Sequence, residues 1–324
     1  ERGTNRMKKS LLITLDFPPD IGGVSKYLKN VCANLPSDKI VVLAPARDDA
    51  KDSDAKREYK IYRRKLLARW IWPRWLPMLR QIRRVAGLEK AEILHVGQAL
   101  PVGTAVYLLT RVYRRCRYIV YTNGMDVILP QRHWFKKFLL KKILQKAYKV
   151  ITISDFTLNE LLKLGTDKSK IIMAYPGVKV FELYPDTKAL AAETLEKYDL
   201  VGKRILMTVG RLVERKGHDT VIKSLPEIIA KFPNLVYVIV GAGVYEKKLK
   251  DLVGKLKLDS HVLFVGPVTD KQKIVWYELS EIFIMTPRRL KNDDVEGFGI
   301  VYLEANGLGK PVVATRSGGV EDAV

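Results

Sequence analysis

Short apolar runs alternate along the chain with longer segments in which apolar residues recur every three or four positions. The first half contains the apolar runs SLLITL, KIVVLAP, AEILHV, YIVYTN, KVITIS and KIIMAYPGV. Runs of this kind are typical of strands that are buried on both faces of a parallel sheet. Helical patterns lie between them, for example over residues 25–35 and 134–148. The pattern therefore predicts a doubly wound α/β domain.

The same alternation starts again after residue 200. The runs RILMTVG, LVYVIVGAG, HVLFVG, EIFIMTP and PVVAT are separated by helical patterns, so a second doubly wound α/β domain is predicted. The turn-rich segment over residues 177–189 indicates the join, and we place the Rossmann-like domains at residues 1–180 and 181–324. Ligands of such sheets bind beyond the carboxyl ends of the strands. Two domains that face each other therefore predict a cleft between those ends.

Composition restricts the class of protein. The 324 residues are 47% hydrophobic, which is enough for two domain cores, and no apolar run is long enough to span a bilayer. The two cysteines cannot form a disulfide framework and indicate a reducing compartment, so we expect a cytoplasmic protein. The four histidines show no metal-ligand spacing.

The net charge of +22 is unevenly distributed, because residues 1–178 hold 35 Lys and Arg against 15 Asp and Glu. This excess predicts an anionic partner, which could be a nucleic acid, a membrane surface or an acidic substrate. The segment KIYRRKLLARWIWPRW combines arginines with Trp70, Trp72 and Trp75. In HWFKKFLLKKILQKAYK, Trp134 and Phe138 lie among lysines that share one helical face: Lys137, Lys141, Lys142 and Lys146. Such a face suits an anionic lipid surface, although a solvated basic back of an ordinary helix is the simpler alternative.

The stretch VEGFGIVYLEANGLGKPVVAT contains two carboxylates near the start of a predicted helix. The helix begins near Gly299, and its first N–H groups, near Ile300 and Val301, suit an anion such as phosphate. Glu296 lies just before this helix and Glu304 lies about one turn into it. Carboxylates accept hydrogen bonds from vicinal hydroxyls of a ribose or sugar ring. The alternative is a loop charge at Glu296 and a helix-surface charge at Glu304.

Three more segments with phosphate-binding character follow strands or precede helices. TVGRLVERKGHD carries Arg211 and Lys216, whose cationic side chains suit a diphosphate. DFPPDIGGVSKY carries Gly22 and Gly23 before a helix predicted to start near Ser25. RSGGVED carries two adjacent glycines that permit close backbone approach. One Gly-Gly pair is weak evidence, but together these segments predict a nucleotide site.

The motifs PPDIGG, GRLVERKG, EGFGIVYLEA and SGG, spread over nearly the whole chain, resemble those of retaining GT-B glycosyltransferases of family four. This is the group that includes glycogen synthase-like and phosphatidylinositol mannosyltransferase-like enzymes. The resemblance implies a GT-B fold and transfer of a hexose, with retention of configuration, from a GDP- or UDP-linked sugar. It also implies that no metal or other cofactor is needed. The family's chains continue past the position of Val324, so the second domain is expected to be incomplete.

The resemblance implies a role for each matched position. Arg211 and Lys216 would bind the donor diphosphate, Glu296 would contact the transferred sugar, and Glu304 would hold the ribose hydroxyls; Arg211, Lys216 and Glu296 form the implied catalytic set. The further donor-binding positions are Gly22, Gly23, Val268, Phe298, Gly299, Ile300 and Val301. Val268 belongs to VGPVTD, the segment expected near the base.

The acceptor side departs from the family pattern. Asn123 in YTNGMDV stands where many members have a histidine, and an amide can bind a hydroxyl but cannot act as a base. Asp126 follows in the same motif, and His95 is a possible substitute for the missing histidine. We expect this side to meet a lipid-linked or glycan acceptor at the cytoplasmic face of a membrane. No signal in the sequence indicates an oligomeric state.

Other classes remain open from the sequence. A basic nucleic-acid or anionic-surface binding protein is consistent with the charge, but no helix-turn-helix, zinc or single-strand signature is present. A dinucleotide oxidoreductase is disfavoured, because VIVGAGVYEKKL has Glu246 at the third glycine position of the fingerprint. An NDP-sugar epimerase of the same fold is the hardest alternative to exclude.

Overall fold

The computed structural model describes residues 7–113, 116–178 and 184–324. The chain forms two compact units, which divide between Pro176 and Gly177. The predicted domain boundary after residue 180 lies outside the described residues. Within the described ranges, no helix is both long enough and apolar enough to cross a bilayer.

The described part of the first unit is built on a parallel sheet of seven strands in the order β3-β2-β1-β4-β5-β6-β7. Its strands are β1 (Ser10–Ile13), β2 (Ile40–Pro45), β3 (Lys60–Arg64), β4 (Ile93–Val96), β5 (Arg117–Thr122), β6 (Lys149–Thr152) and β7 (Ile171–Met173). Its helices are α1 (Gly23–Ala33), α2 (Lys51–Ala55), α3 (Leu76–Leu88), α4 (Val102–Val112), α5 (Met125–Ile128), α6 (Trp134–Lys146) and α7 (Asp155–Lys163). All four residues of β1 are buried, as are three of the four residues of the middle strand β4, which is typical of a parallel sheet covered on both faces.

The described part of the second unit contains a parallel sheet of five strands in the order β10-β9-β8-β11-β12. Its strands are β8 (Arg204–Val209), β9 (Leu235–Val240), β10 (Val262–Gly266), β11 (Ile282–Met285) and β12 (Val312–Ala314). Its helices are α8 (Thr187–Lys197), α9 (His218–Lys231), α10 (Glu246–Lys255), α11 (Asp270–Leu279) and α12 (Ile300–Gly307). All six residues of β9 are buried, as its unbroken apolar sequence predicts.

Each sheet has one position where the direction of winding changes. In the first unit β1 lies between β2 and β4, and in the second unit β8 lies between β9 and β11. Crevices for ligands open at these switch points, beyond the carboxyl ends of the strands. The loops that follow β8 and β11, which carry Arg211, Lys216 and Glu296, therefore lie side by side.

The structure refines two local predictions from the sequence. Helix α1 begins at Gly23, two residues before the predicted start near Ser25, because the N–H of Lys26 already donates to the carbonyl of Gly22 at 3.0 Å. In the basic segment after residue 59, the first residues form the edge strand β3. Trp70 and Trp72 are each 88% exposed, whereas Trp75 packs against the core of the unit, so the lipid-facing surface stays a prediction for the two exposed tryptophans.

Candidate functional site

Hydrogen bonds join the loop that follows β8 to the loop that follows β11. The Thr286 hydroxyl donates to the carbonyl of Gly217, and the Arg288 N–H donates to the carbonyl of Arg215, both at 2.8 Å. Gly217 has φ 75°, and a Cβ there would lie 1.8 Å from the carbonyl oxygen of Thr286. Only glycine fits this approach, which explains the glycine that follows Lys216.

Lys216 and Glu296 meet at this junction. The Lys216 ammonium lies 2.8 Å from Glu296 Oε2, and the Nε of Arg215 lies 3.7 Å from the same oxygen. The side chains of Lys216 and Glu296 are only 9% and 12% exposed. Burial alone would raise the pKa of the Glu296 carboxyl, but Lys216, Arg215 and more weakly Arg211 hold it below its ordinary value. Glu296 is therefore ionised at neutral pH.

The RSGGVED segment holds the backbone of Glu296. The Gly319 N–H donates to the Glu296 carbonyl at 3.0 Å. Gly318 has φ 61°, and a Cβ there would lie 2.2 Å from that carbonyl oxygen. The adjacent glycines thus allow the backbone of this segment to approach the backbone of Glu296 closely, and the contact fixes the position of Glu296.

Glu304 is buried, so the alternative of a helix-surface charge is wrong. Its side chain is 2% exposed and accepts hydrogen bonds from the Lys273 ammonium at 3.2 Å and the Tyr277 hydroxyl at 3.1 Å. Burial, reinforced by Glu304, raises the pKa of Tyr277 well above its ordinary value, so the phenol remains a donor. For Lys273, burial opposes the charged form, but Glu304 and Asp270 outweigh it and raise the pKa.

The start of α12 is held by two tyrosines. Gly299 caps the helix with φ 96°, and a Cβ there would lie 2.6 Å from the ring of Tyr302. Tyr302 donates its hydroxyl to the Met285 carbonyl at 2.9 Å. The Tyr277 hydroxyl lies 3.2 Å from the Val301 carbonyl, so its one hydrogen is shared between that carbonyl and Glu304. Helix α12 therefore begins at Ile300, as predicted to within one residue, with its first N–H groups beside the crevice.

The remaining donor-side residues differ in exposure. Phe298 is buried, Arg211 is exposed, and Val268 is partly buried. Val268 lies one residue before Thr269, which caps α11 in a capping box with Gln272. The segment expected near the base therefore leads directly into the helix that carries Lys273 and Tyr277.

In the first unit, Gly22 caps α1 and Gly23 occupies its first turn. Both glycines are exposed, and a Cβ on Gly22 would meet no atom within 4 Å. The φ of Gly22 is 174°, an extended conformation that any residue adopts. The packing of the described residues therefore does not itself require glycine at position 22.

Asn123 and Asp126 contact each other at the carboxyl end of β5. The partly buried Asp126 carboxylate accepts the N–H of Asn123 at 2.7 Å and that of Ala99 at 3.3 Å. The Asn123 amide donates to the Gly97 carbonyl at 3.2 Å. Burial raises the pKa of Asp126 to about 6, although the backbone hydrogen bonds oppose the shift.

His95 lies within β4 and not at its end. Its Nδ1 is 3.0 Å from the hydroxyl of Tyr121, and the two rings stack with centroids 5.8 Å apart. Burial lowers the pKa of His95 to about 4, so the ring is neutral at neutral pH. These contacts are those of a core side chain.

Sequence reasoning missed Arg215, Lys273 and Tyr277. Lys273 and Tyr277 are four residues apart, so they share one face of α11. A lysine on the buried face of a helix was an available signal, because such residues are almost never buried without a partner. Among the described residues, no group of three or more His, Cys, Asp or Glu side chains could hold a metal ion, and metal independence stays a prediction.

Two families match the chain. The family described as Glycosyltransferase Family 4 matches residues 21–180, and the one described as Glycosyl transferases group 1 matches residues 192–324. A GDP-mannose-dependent alpha-(1-6)-phosphatidylinositol monomannoside mannosyltransferase of Mycolicibacterium smegmatis is 31% identical over 97% of this chain and 82% of the relative.

One further relative and one solved structure are also similar to this chain. A GDP-mannose-dependent monoacylated alpha-(1-6)-phosphatidylinositol monomannoside mannosyltransferase of Corynebacterium glutamicum is 31% identical over 98% of this chain and 82% of the relative. The crystal structure of Anabaena HepE in complex with UDP and glucose superposes with a TM-score of 0.80, at 18% identity, over 98% of this chain and 83% of HepE. This likeness shows the GT-B fold and confirms the fold predicted from the sequence.

Proposed function

This chain is a glycosyltransferase of family 4, and we propose that it transfers a hexose from a nucleotide-diphosphate sugar to a lipid-linked acceptor at a membrane surface. The observation that carries the proposal is the meeting of Lys216 with Glu296 at the switch point of the second unit. GDP-mannose is the first donor to test, since it is named for the relatives from Mycolicibacterium and Corynebacterium.

On the donor side, the diphosphate would lie against Arg211, Lys216 and the N-terminus of α12. Cleavage of the sugar–phosphate bond builds negative charge on the leaving diphosphate. A guanidinium, an ammonium and the first N–H groups of a helix would stabilise that charge electrostatically. The ionised Glu296 would accept hydrogen bonds from the transferred sugar.

The nucleoside would lie toward α11. Glu304 is held by Lys273 and Tyr277, and its carboxylate would accept hydrogen bonds from two neighbouring ribose hydroxyls. Val268 and its neighbours precede this helix and would contact the base through their backbone. We propose retention of configuration and no metal requirement, as expected for the family.

On the acceptor side, Asn123 would hydrogen-bond a sugar hydroxyl. Its amide is positioned by the Gly97 carbonyl, and its backbone by Asp126. An amide can orient a hydroxyl but cannot remove its proton. In a same-face transfer, the leaving phosphate would accept the acceptor proton.

A basic and aromatic surface of α6 supports a membrane location. Trp134, Phe135 and Phe138 are 82%, 58% and 55% exposed. They lie among exposed lysines, and the Lys142 ammonium sits 5.4 Å from the centre of the Phe138 ring. Leu140, Ile143 and Leu144 on the opposite face are buried. This division suits a peripheral enzyme on the cytoplasmic face of a membrane.

A thermal-shift screen with GDP, UDP, ADP and their sugars tests the donor site. A ligand present at about a hundred times its Kd should add about 2.7 kcal/mol to the free energy of unfolding. Lys216→Ala should abolish this gain and the transfer of labelled mannose from GDP-mannose to a glycolipid extract. If the unaltered protein shows no shift with any of these nucleotides and transfers no sugar, the proposed function is wrong.

A further inference from the structure

Under the proposed function, Lys216 would have two competing partners. Its ammonium now pairs with Glu296 at 2.8 Å, and the same ammonium would bind the donor diphosphate. A lysine head is a compact charge on a flexible stem, so a doubly charged diphosphate would draw it toward the phosphates. Glu296 would then be a largely buried carboxylate with a weakened ion pair, and such a group protonates or turns away unless another cation faces it.

Arg215 is placed to be that cation. Its side chain is 13% exposed, and its Nε lies 3.7 Å from Glu296 Oε2 and 3.6 Å from Asp294 Oδ1. This Nε is buried and makes no hydrogen bond. The two distances lie just beyond hydrogen-bond range, so a small turn of the guanidinium would make a charge-assisted bond to either acid.

The backbone of Arg215 does not need to move for this exchange. Its carbonyl is held by the Arg288 N–H, and the Arg288 guanidinium is in turn held by Asp219 at 2.8 Å. The backbone of Arg215 is therefore held in place, and its planar guanidinium can reach the Glu296 carboxylate.

We propose that Arg215 is a positioning residue that keeps Glu296 charged and aimed at the transferred sugar while Lys216 binds the diphosphate. The inference rests on the proposed function of Lys216 and Glu296. It assigns Arg215 to recognition of the sugar and not of the nucleotide.

The charged and titratable groups that face Glu296 support this assignment. Lys216, Arg215 and Arg211 are the cations that lower its pKa, and Tyr302 is a phenol whose own pKa is raised by burial and by Glu296. Because the phenol stays neutral, removal of Arg215 leaves Lys216 as the nearest cation. The pKa of Glu296 should then rise most when the diphosphate occupies Lys216.

The test compares Arg215→Met with the control Arg289→Met. Arg289 lies in the loop after β11, and its 52% exposed side chain pairs only with Asp293 among the contacts described. Binding of GDP, GDP-mannose, UDP and UDP-glucose is measured by calorimetry at pH 6, 7 and 8, together with kcat and KM.

We expect R215M to bind the nucleoside diphosphate within about twofold of the unaltered protein and to bind its sugar nucleotide about tenfold more weakly, as for loss of one charge-assisted contact. The loss of affinity of R215M for the sugar nucleotide should grow as the pH falls from 8 to 6. The kcat of R215M should decrease over the same pH range. Arg215→Lys should restore most of the sugar selectivity, and R289M should behave as the unaltered protein does. Arg215→Gln repeats the test with a polar side chain if R215M does not fold.

Equal losses for nucleotide and sugar nucleotide in R215M and R215Q would show that Arg215 binds phosphate directly, and the inference would be wrong. Unchanged sugar selectivity at every pH would also overturn it. If the unaltered protein binds no nucleotide at all, the proposed function itself fails. If the unaltered protein binds the nucleoside diphosphates but binds their sugar nucleotides no more tightly, the nucleotide site is intact and the proposed role of Arg215 is wrong.

Discussion

At the scale of single residues, two acids of different motifs, Glu296 and Asp126, have opposite environments. Glu296 lies among cations, which keep it charged, whereas Asp126 lies partly buried among backbone N–H groups, and its pKa is raised to about 6. Desolvation dominates at Asp126 because no cation offsets it there. The two carboxylates therefore predict opposite contributions to the pH dependence of stability.

We predict that Asp126→Asn changes how stability depends on pH. The folded protein keeps a proton on Asp126 up to about pH 6, whereas the unfolded chain loses it near its ordinary pKa of 3.8. The stabilisation by this group is complete below pH 3.8 and is lost as the pH rises toward 6. The variant should therefore gain up to about 3 kcal/mol relative to the unaltered protein between pH 4 and pH 6.

Urea unfolding at pH 4, 5, 6 and 7 measures this difference. The slope with pH carries the information, because the lost hydrogen bonds shift the variant by a constant amount. A constant gap between the two proteins over the whole range would contradict a raised pKa for Asp126.

At the scale of elements, α11 and α12 are joined through Glu304. We predict that Lys273→Met lowers the free energy of unfolding by about 3 kcal/mol, because it leaves a buried carboxylate without its cation. It should also abolish any preference for GDP over 2′-deoxy-GDP. Lys271→Met is the matched control on the same helix, since Lys271 pairs at the surface with the exposed Asp186. Equal effects of the two substitutions would contradict the role of Lys273.

The loop that carries Gly318 also connects distant parts of the second unit, because it contacts the backbone of Glu296. We predict that Gly318→Ala weakens binding of the donor, because the added Cβ would collide with the Glu296 carbonyl and displace that acid. Gly309→Ala serves as the control, since Gly309 also has a positive φ of 69° but a Cβ there meets no atom within 4 Å. The strain of the positive φ alone is about 1–2 kcal/mol in each variant. Sugar-nucleotide affinity measured by calorimetry should fall in G318A far more than in G309A.

At the scale of the whole molecule, the concentration of positive charge before residue 179 and the exposed aromatic residues of α6 predict binding to anionic lipid. Sedimentation with vesicles containing an anionic phospholipid should recover the protein, and salt should release it. Replacing Trp134 and Phe138 by alanine should reduce binding without a loss of stability, because both side chains are exposed. Binding that is independent of salt and of anionic lipid would contradict this prediction.

The two α/β domains, the family and the motif positions could be predicted from the amino-acid sequence alone. Buried parallel strands are continuous apolar runs, and phosphate-binding loops need glycine and cations at fixed spacing, so both leave local signals. The comparisons confirm the GT-B fold and the glycosyltransferase class. The roles assigned to single site residues stay predictions.

The pairing of charged side chains, by contrast, could be read only from the folded chain. Strand order places the loop after β8 beside the loop after β11, although about 80 residues of sequence separate Lys216 from Glu296, so no local pattern could pair them. No local pattern could predict the contact of Arg215 with Glu296 either, or the contacts of Lys273 and Tyr277 with the buried Glu304. The contact of Asp126 with the loop that carries Ala99 is likewise between distant parts of the chain. Burial and pairing set the charge state of a side chain, and both depend on neighbours that are distant in the chain.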